Sequence, residues 1–244
     1  MQFVKGNRIT ILKSIFIGFS IIIFSIVVLF LIAMLYYPGG NFVNDEVSNG
    51  YSLLYNGMCD MRDGIAINGE PNLISCILLK IATMGICIAM TFFFGTLWIF
   101  FQNKTSMKYL SWIASMFGIF FGPLNIMIIF SHSTFELHML FNILATLSLN
   151  IAVVLYTILY FINPQLPNLN RFSFLALSIC AVSYCILVGI IAGIGGVFNM
   201  ITHRLGSNLL YAITMIVFMI QGVSIIFYLK QIGNIITTNR MRNE

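Results

Sequence analysis

Six apolar segments, each 22 to 29 residues long, constrain this chain more than any other feature. They run from about Ser14 to Tyr37, Leu73 to Phe101, Tyr109 to Phe130, Leu137 to Ile162, Phe172 to Phe198 and Gly206 to Leu229. A helix needs ~20 apolar residues to cross a bilayer core, whereas a barrel strand needs only about half as many. In lipid, every backbone polar group must also find an internal partner. These lengths predict an all-α integral membrane protein: one bundle of six transmembrane helices over residues 1–244, with no linker to divide it. With 59% hydrophobic residues, 8% charged residues and a mean hydropathy of +0.98, a soluble fold is excluded, since roughly a quarter of residues are charged in soluble domains.

Charge orients the bundle. The first apolar segment is longer than the roughly 7–15-residue core of a signal peptide and reads as an uncleaved span, preceded by Lys5, Arg8 and Lys13 without an acid. With the N-terminus in the cytoplasm, nine of the twelve basic residues are cytoplasmic: Lys5, Arg8, Lys13, Lys104, Lys108, Arg171, Lys230, Arg240 and Arg242. Six of the seven acids, all but Glu244, then lie outside. This asymmetry predicts a multi-pass cell-membrane protein with both termini cytoplasmic. The net charge of +5 belongs to span ends and lipid contacts, so no nucleic-acid partner is expected.

The longest connection, residues 38–72, is predicted to be an ordered extracytoplasmic loop. It holds Asp45, Glu46, Asp60, Asp63 and Glu70, and Pro38-Gly39-Gly40 ends the first helix. Glu136 and His138 begin the fourth span on the same side, and His203 and Arg204 fall in the link between the last two. Lys80 lies ~10 Å of helix beyond Leu73. An unpaired ammonium inside a span costs ~2.5–3.5 kcal/mol on insertion scales. It therefore snorkels outward, pairs with Asp60, Asp63 or Glu136, or meets an anionic group such as a lipid phosphate. Asn56, Asp60, Asp63, Lys80, Glu136 and His138 are the candidate ligand-binding residues.

All three histidines, His132, His138 and His203, fall on this predicted outer side, and zinc takes such ligands. There is no HExxH motif and no helical pair of histidines, so neither a metal nor another cofactor is predicted. Cys59 and Cys76 are the two cysteines on the oxidising side, and a bridge between them is one arrangement open to them. Cys87, Cys180 and Cys185 read as packing residues within spans. Gly118 with Gly122, and Gly189 with Gly193, offer small faces for close helix packing, and Pro123 sits inside the third span.

The motifs Tyr37-Pro38-Gly39-Gly40, Gly50-Tyr51-Ser52, Asn56 with Asp60, Asn68-Gly69 with Asn72 and Ser75, and His138 resemble those of a six-span prokaryotic membrane-protein family, that of domain-of-unknown-function 998, distantly similar to Frag/DRAM/Sfk proteins. Where the family has Asn-Phe-Leu-Ser-Asp-Leu-Gly, this chain has Cys59 for the serine and Met61-Arg62 for Leu-Gly. The resemblance implies six helices with a polar outer site around Asn56, Asp60 and His138, and no particular reaction.

The main functional expectation is a membrane protein, in contact with membrane lipids, that binds a lipid or small molecule in an extracytoplasmic polar pocket. An alternative is an intramembrane lipid hydrolase or transferase using Asp60 and His138, with a metal-dependent form in which the outer histidines supply the ligands. A second is a transporter or channel, which needs a polar track across the bilayer. The inner halves of the spans offer little toward one beyond Asn150 and Gln221. No catalytic residue is assigned.

Overall fold

The computed structural model describes residues 6–41, 49–102, 104–130, 135–163, 166–192 and 197–243; within the helices the side chains of 6–7, 135–136, 139, 187–192, 197–203, 236–237 and 239–243 are also outside the description. Six long helices are present among these residues: α1 (Gly6–Leu35), α2 (Leu73–Leu97), α3 (Thr105–Phe130), α4 (Phe135–Ile162), α5 (Asn168–Ala192) and α6 (Val197–Asn243). Each contains a stretch long and apolar enough to cross a membrane. Among the described residues, β-pairing is limited to isolated bridges between Gly39 and Asn49 and between Ile65 and Pro71.

Each helix packs on its neighbours in sequence, and α6 returns to α1, closing a ring of six. The centre is aromatic: Phe19, Phe93, Phe94, Tyr156, Phe174 and Phe218 are buried there. Phe93 of α2 stacks on Phe19 of α1 at 4.7 Å between centroids and meets Phe218 of α6 edge-on at 5.2 Å. Offset and edge-to-face arrangements of this kind follow from the ring quadrupole. Glycine permits the closest helix contact: a Cβ on Gly118 would lie 2.2 Å from the Phe94 ring, and one on Gly122 would lie 2.8 Å from the Cys87 backbone. These two glycines of α3 thus seat α2, in line with the intramolecular packing their spacing suggested. Pro123 lies within α3, where Asn125 Nδ2 donates to the Phe121 carbonyl at 2.8 Å.

Two features differ from the sequence expectation. The fifth helix ends at Ala192 and α6 begins at Val197, so His203 and Arg204 lie on the first turns of α6 rather than in a link. The sequence of 197–205 allows this, since it contains neither Gly nor Pro. The half of the bundle remote from the 38–72 loop is also more polar inside than expected. Gln221 of α6, fully buried, donates to the Asn170 carbonyl at 2.8 Å and to Ser173 Oγ at 2.7 Å, and accepts from Tyr160 Oη at 3.3 Å and from Asn170 Nδ2. Tyr156 and Ser115 share a 2.6 Å hydrogen bond between α4 and α3. These bonds tie α6 to α5 and α4, and α4 to α3.

Candidate functional site on the α1–α2 loop

The described parts of the connection, 36–41 and 49–72, bond to one another and to α2, α4 and α6 as a cap. The connection leaves α1 through Tyr37, which is buried and whose hydroxyl donates to the Gly40 carbonyl at 3.4 Å. Gly40 has φ +85°, and a Cβ there would stand 2.3 Å from the Asn68 nitrogen, so only glycine lets the two arms of the loop cross. At the far arm, Ala66 N–H donates to the Glu70 carbonyl at 2.8 Å, and Ser75 Oγ at the start of α2 donates to Ala33 of α1 at 2.8 Å.

Asn56 is the hub of the cap and has no solvent exposure. Its Oδ1 accepts from Ser52 N–H at 3.0 Å; its Nδ2 donates to the Gly40 carbonyl at 2.6 Å and to Asp60 Oδ2 at 3.3 Å. Its own carbonyl accepts from Asn208 Nδ2 of α6 at 2.9 Å, and the same nitrogen reaches the Leu53 carbonyl at 3.0 Å. Asp60 lies on a 3₁₀ turn, Met58–Arg62, and its Oδ2 accepts from Gly57 N–H at 3.0 Å. The same oxygen pairs with Arg204 Nη1 of α6. The carboxylate is 6% exposed and the Arg204 side chain 15%, so the pair is largely withdrawn from water.

Two residues further along the same turn a second polar pair faces α4. Arg62 Nη1 donates to His138 Nδ1 at 2.7 Å, and Arg62 Nε lies 3.5 Å from Asp63 Oδ2. Because guanidinium can only donate, His138 Nδ1 must present a lone pair, which leaves Nε2 to carry the proton of the neutral ring. The ring also hydrogen-bonds the Ile128 backbone near the end of α3. Burial, and then the Arg62 charge, hold His138 below its ordinary value of 6.5. Asn72 secures the turn from below, donating to the carbonyls of Met61 at 3.2 Å and Asp63 at 2.9 Å. Burial, followed by the nearby Asp60 charge, pushes the Cys59 thiol up to about 11.

The candidate residues thus separate into two groups. Asn56 and Asp60 join Arg204 and Asn208 in holding the cap, while Asp63 and His138 flank Arg62. Asp60 and His138 are given different basic partners, so they do not act on one another. Among the described residues Lys80 makes no ion pair with Asp60 or Asp63; its ammonium lies 5.7 Å above the Phe130 ring of α3. The bridge between Cys59 and Cys76 is not formed: both are free thiols, and Cys76 Sγ donates to the Arg62 carbonyl at 2.9 Å. That contact points the sulfur at the turn's backbone. His132 lies outside the described residues, as do the side chains of Glu136 and His203. Among the described residues no three His, Cys, Asp or Glu side chains converge on a point.

Arg62, Arg204, Asn208 and Asn72 organise the site without having been singled out as binding residues. The signal for the arginines was present, since they are the only basic residues assigned to outer connections and face an excess of acid there. Comparisons with protein families, curated proteins and solved structures find no match to this chain.

Proposed function

We propose that this chain is a multi-pass cell-membrane protein, with both termini cytoplasmic and the capped face outside, that binds a lipid or small anionic ligand at that face. Insertion into lipid is supported by the outward surfaces of the helices. Ile21, Phe24, Met116, Phe120 and Phe227 are each more than half exposed, far more contiguous apolar surface than water tolerates. At the opposite end Lys108 lies 5.3 Å over the Trp112 ring, with Tyr109 and Trp98 packed beside it. Aromatic rings and lysines gather in this way at membrane interfaces. Orientation rests on the charge asymmetry.

The observation that carries the ligand reading is the corner of the 3₁₀ turn, α2, α3 and α4, where Arg62 is hydrogen-bonded to neutral His138 and Lys80 of α2 lies over Phe130 of α3. Asp63, which is half-exposed, is the acid facing Arg62 there. An enzyme using Asp60 with His138 draws less from the geometry, because each is committed to its own arginine. A transporter draws less as well, because the polar groups of the opposite half bond one another between neighbouring helices. Native mass spectrometry of protein extracted in mild detergent tests the proposal. The wild type should retain a non-protein mass that the Lys80→Gln/His138→Leu double variant loses; an identical spectrum for the two would overturn it.

A further inference from the structure

Resting on that reading, we infer that the corner of Arg62, Lys80 and His138 is a site for a phosphate group. Arginine has five N–H donors in a planar fork suited to oxyanions. The Asp63 and His138 contacts engage two of the five, Nε–H and one on Nη1, and leave three for a ligand. The backbone of the turn is held by the Cys76 contact to the Arg62 carbonyl and the Asn72 contact to the Met61 carbonyl, and the guanidinium itself by Asp63 and His138. Its position is therefore set before any ligand arrives.

Lys80 follows Cys76 by one helical turn, ~6 Å along α2. It lies on the side of α2 that meets Arg62 and leans against Phe130. Two cations thus stand one above the other along the helix, with an aromatic ring behind the lower one and a neutral imidazole orienting the upper one. Among the described side chains of the corner, Asp63 is the acid that faces these two cations. Ile77, Ile81, Met84 and Ile88 continue down the exposed face of α2 below the corner. That apolar track would take the acyl chains of a phospholipid whose phosphate bridges the two cations, and a soluble phosphate would use the cations alone.

Delipidated full-length protein, titrated by native mass spectrometry, tests this with three probes: dioleoylphosphatidic acid, dioleoylglycerol and inorganic phosphate. We expect the phosphatidic acid to bind the wild type at least tenfold more tightly than Lys80→Gln. Lys80→Arg should restore binding, and Lys108→Gln at the other end should bind as the wild type does. Dioleoylglycerol, which has the same chains without the phosphate, should bind at least tenfold more weakly. Inorganic phosphate displacing the lipid at comparable concentration would support the site and identify a soluble phosphate as its ligand; failure to displace would support it and identify the lipid. Equal phosphatidic-acid binding by wild type and Lys80→Gln would overturn the site. Equal binding of dioleoylglycerol and phosphatidic acid, lost in Lys80→Gln/His138→Leu, would overturn the phosphate assignment while leaving a lipid site at this face. Retention of none of the three would overturn both.

Discussion

Replacing Asp60 by Asn tests whether the cap is held by charge. The substitution preserves shape and leaves an oxygen for the Gly57 N–H, so the perturbation is confined to the charge facing Arg204. Removing one partner of a buried ion pair typically costs 3–5 kcal/mol because the other charge stays buried. Arg204 is 15% exposed and has further contacts, so part of its charge is compensated. We therefore expect a loss of about 2–3 kcal/mol. For a chain of this size that corresponds to a fall in Tm of roughly 4–12 °C. Thermal unfolding in one detergent, for wild type, Asp60→Asn, Arg204→Gln and the double variant, measures it. The double variant should be no less stable than either single one, because neither then leaves an unmatched charge. A Tm for Asp60→Asn within about 1 °C of wild type, or strictly additive losses, would refute the reasoning.

Other substitutions probe the remaining contacts. Gly118→Ala should destabilise by about 1–3 kcal/mol despite alanine's better helix propensity, because its Cβ would overlap the Phe94 ring; a thermal melt no lower than wild type would contradict this. Gln221→Leu removes four interhelical hydrogen bonds. At ~0.6 kcal/mol each the expected loss is about 2 kcal/mol, read in the same assay. His138 has a folded-state pKa lowered from 6.5, so the unfolded chain takes up its proton first. Its contribution should be complete above about pH 6.5 and decline as pH falls through that value toward the lower folded one. Melts at pH 7.5 and 5 should show a larger acid loss for wild type than for His138→Gln. Alkylation of denatured protein without reductant should add five groups, one for each free cysteine, where a bridge would leave three.

The six helices were legible because each span writes its length directly into hydropathy, and the place of the loop followed from the concentration of acids between two spans. What the sequence could not convey was partnership. Asp60 and Arg204 are 144 residues apart, and nothing local distinguishes that pairing from one with Lys80. Arg204 itself was hidden by an assumed link, since the mixed polarity of 197–205 looks like a connection when read by hydropathy but contains no residue that breaks a helix. The inner network was hidden for the opposite reason. Ser173 and Tyr160 are single polar positions within apolar surroundings, Asn170 belongs by sequence to the polar turn before the fifth span, and only packing shows that Gln221 gathers them.

The account places an anionic ligand at one corner of the capped face, and photolabelling locates such a ligand directly. Wild-type protein in lipid nanodiscs would be irradiated with a phosphatidic acid carrying a diazirine near its headgroup, then digested and mapped. Labelling should concentrate on the peptides containing Ile77–Ile81 and Phe130 and fall several-fold in Lys80→Gln. Labelling centred instead on the Lys104–Trp112 end of the bundle, or unchanged by the substitution, would contradict the account.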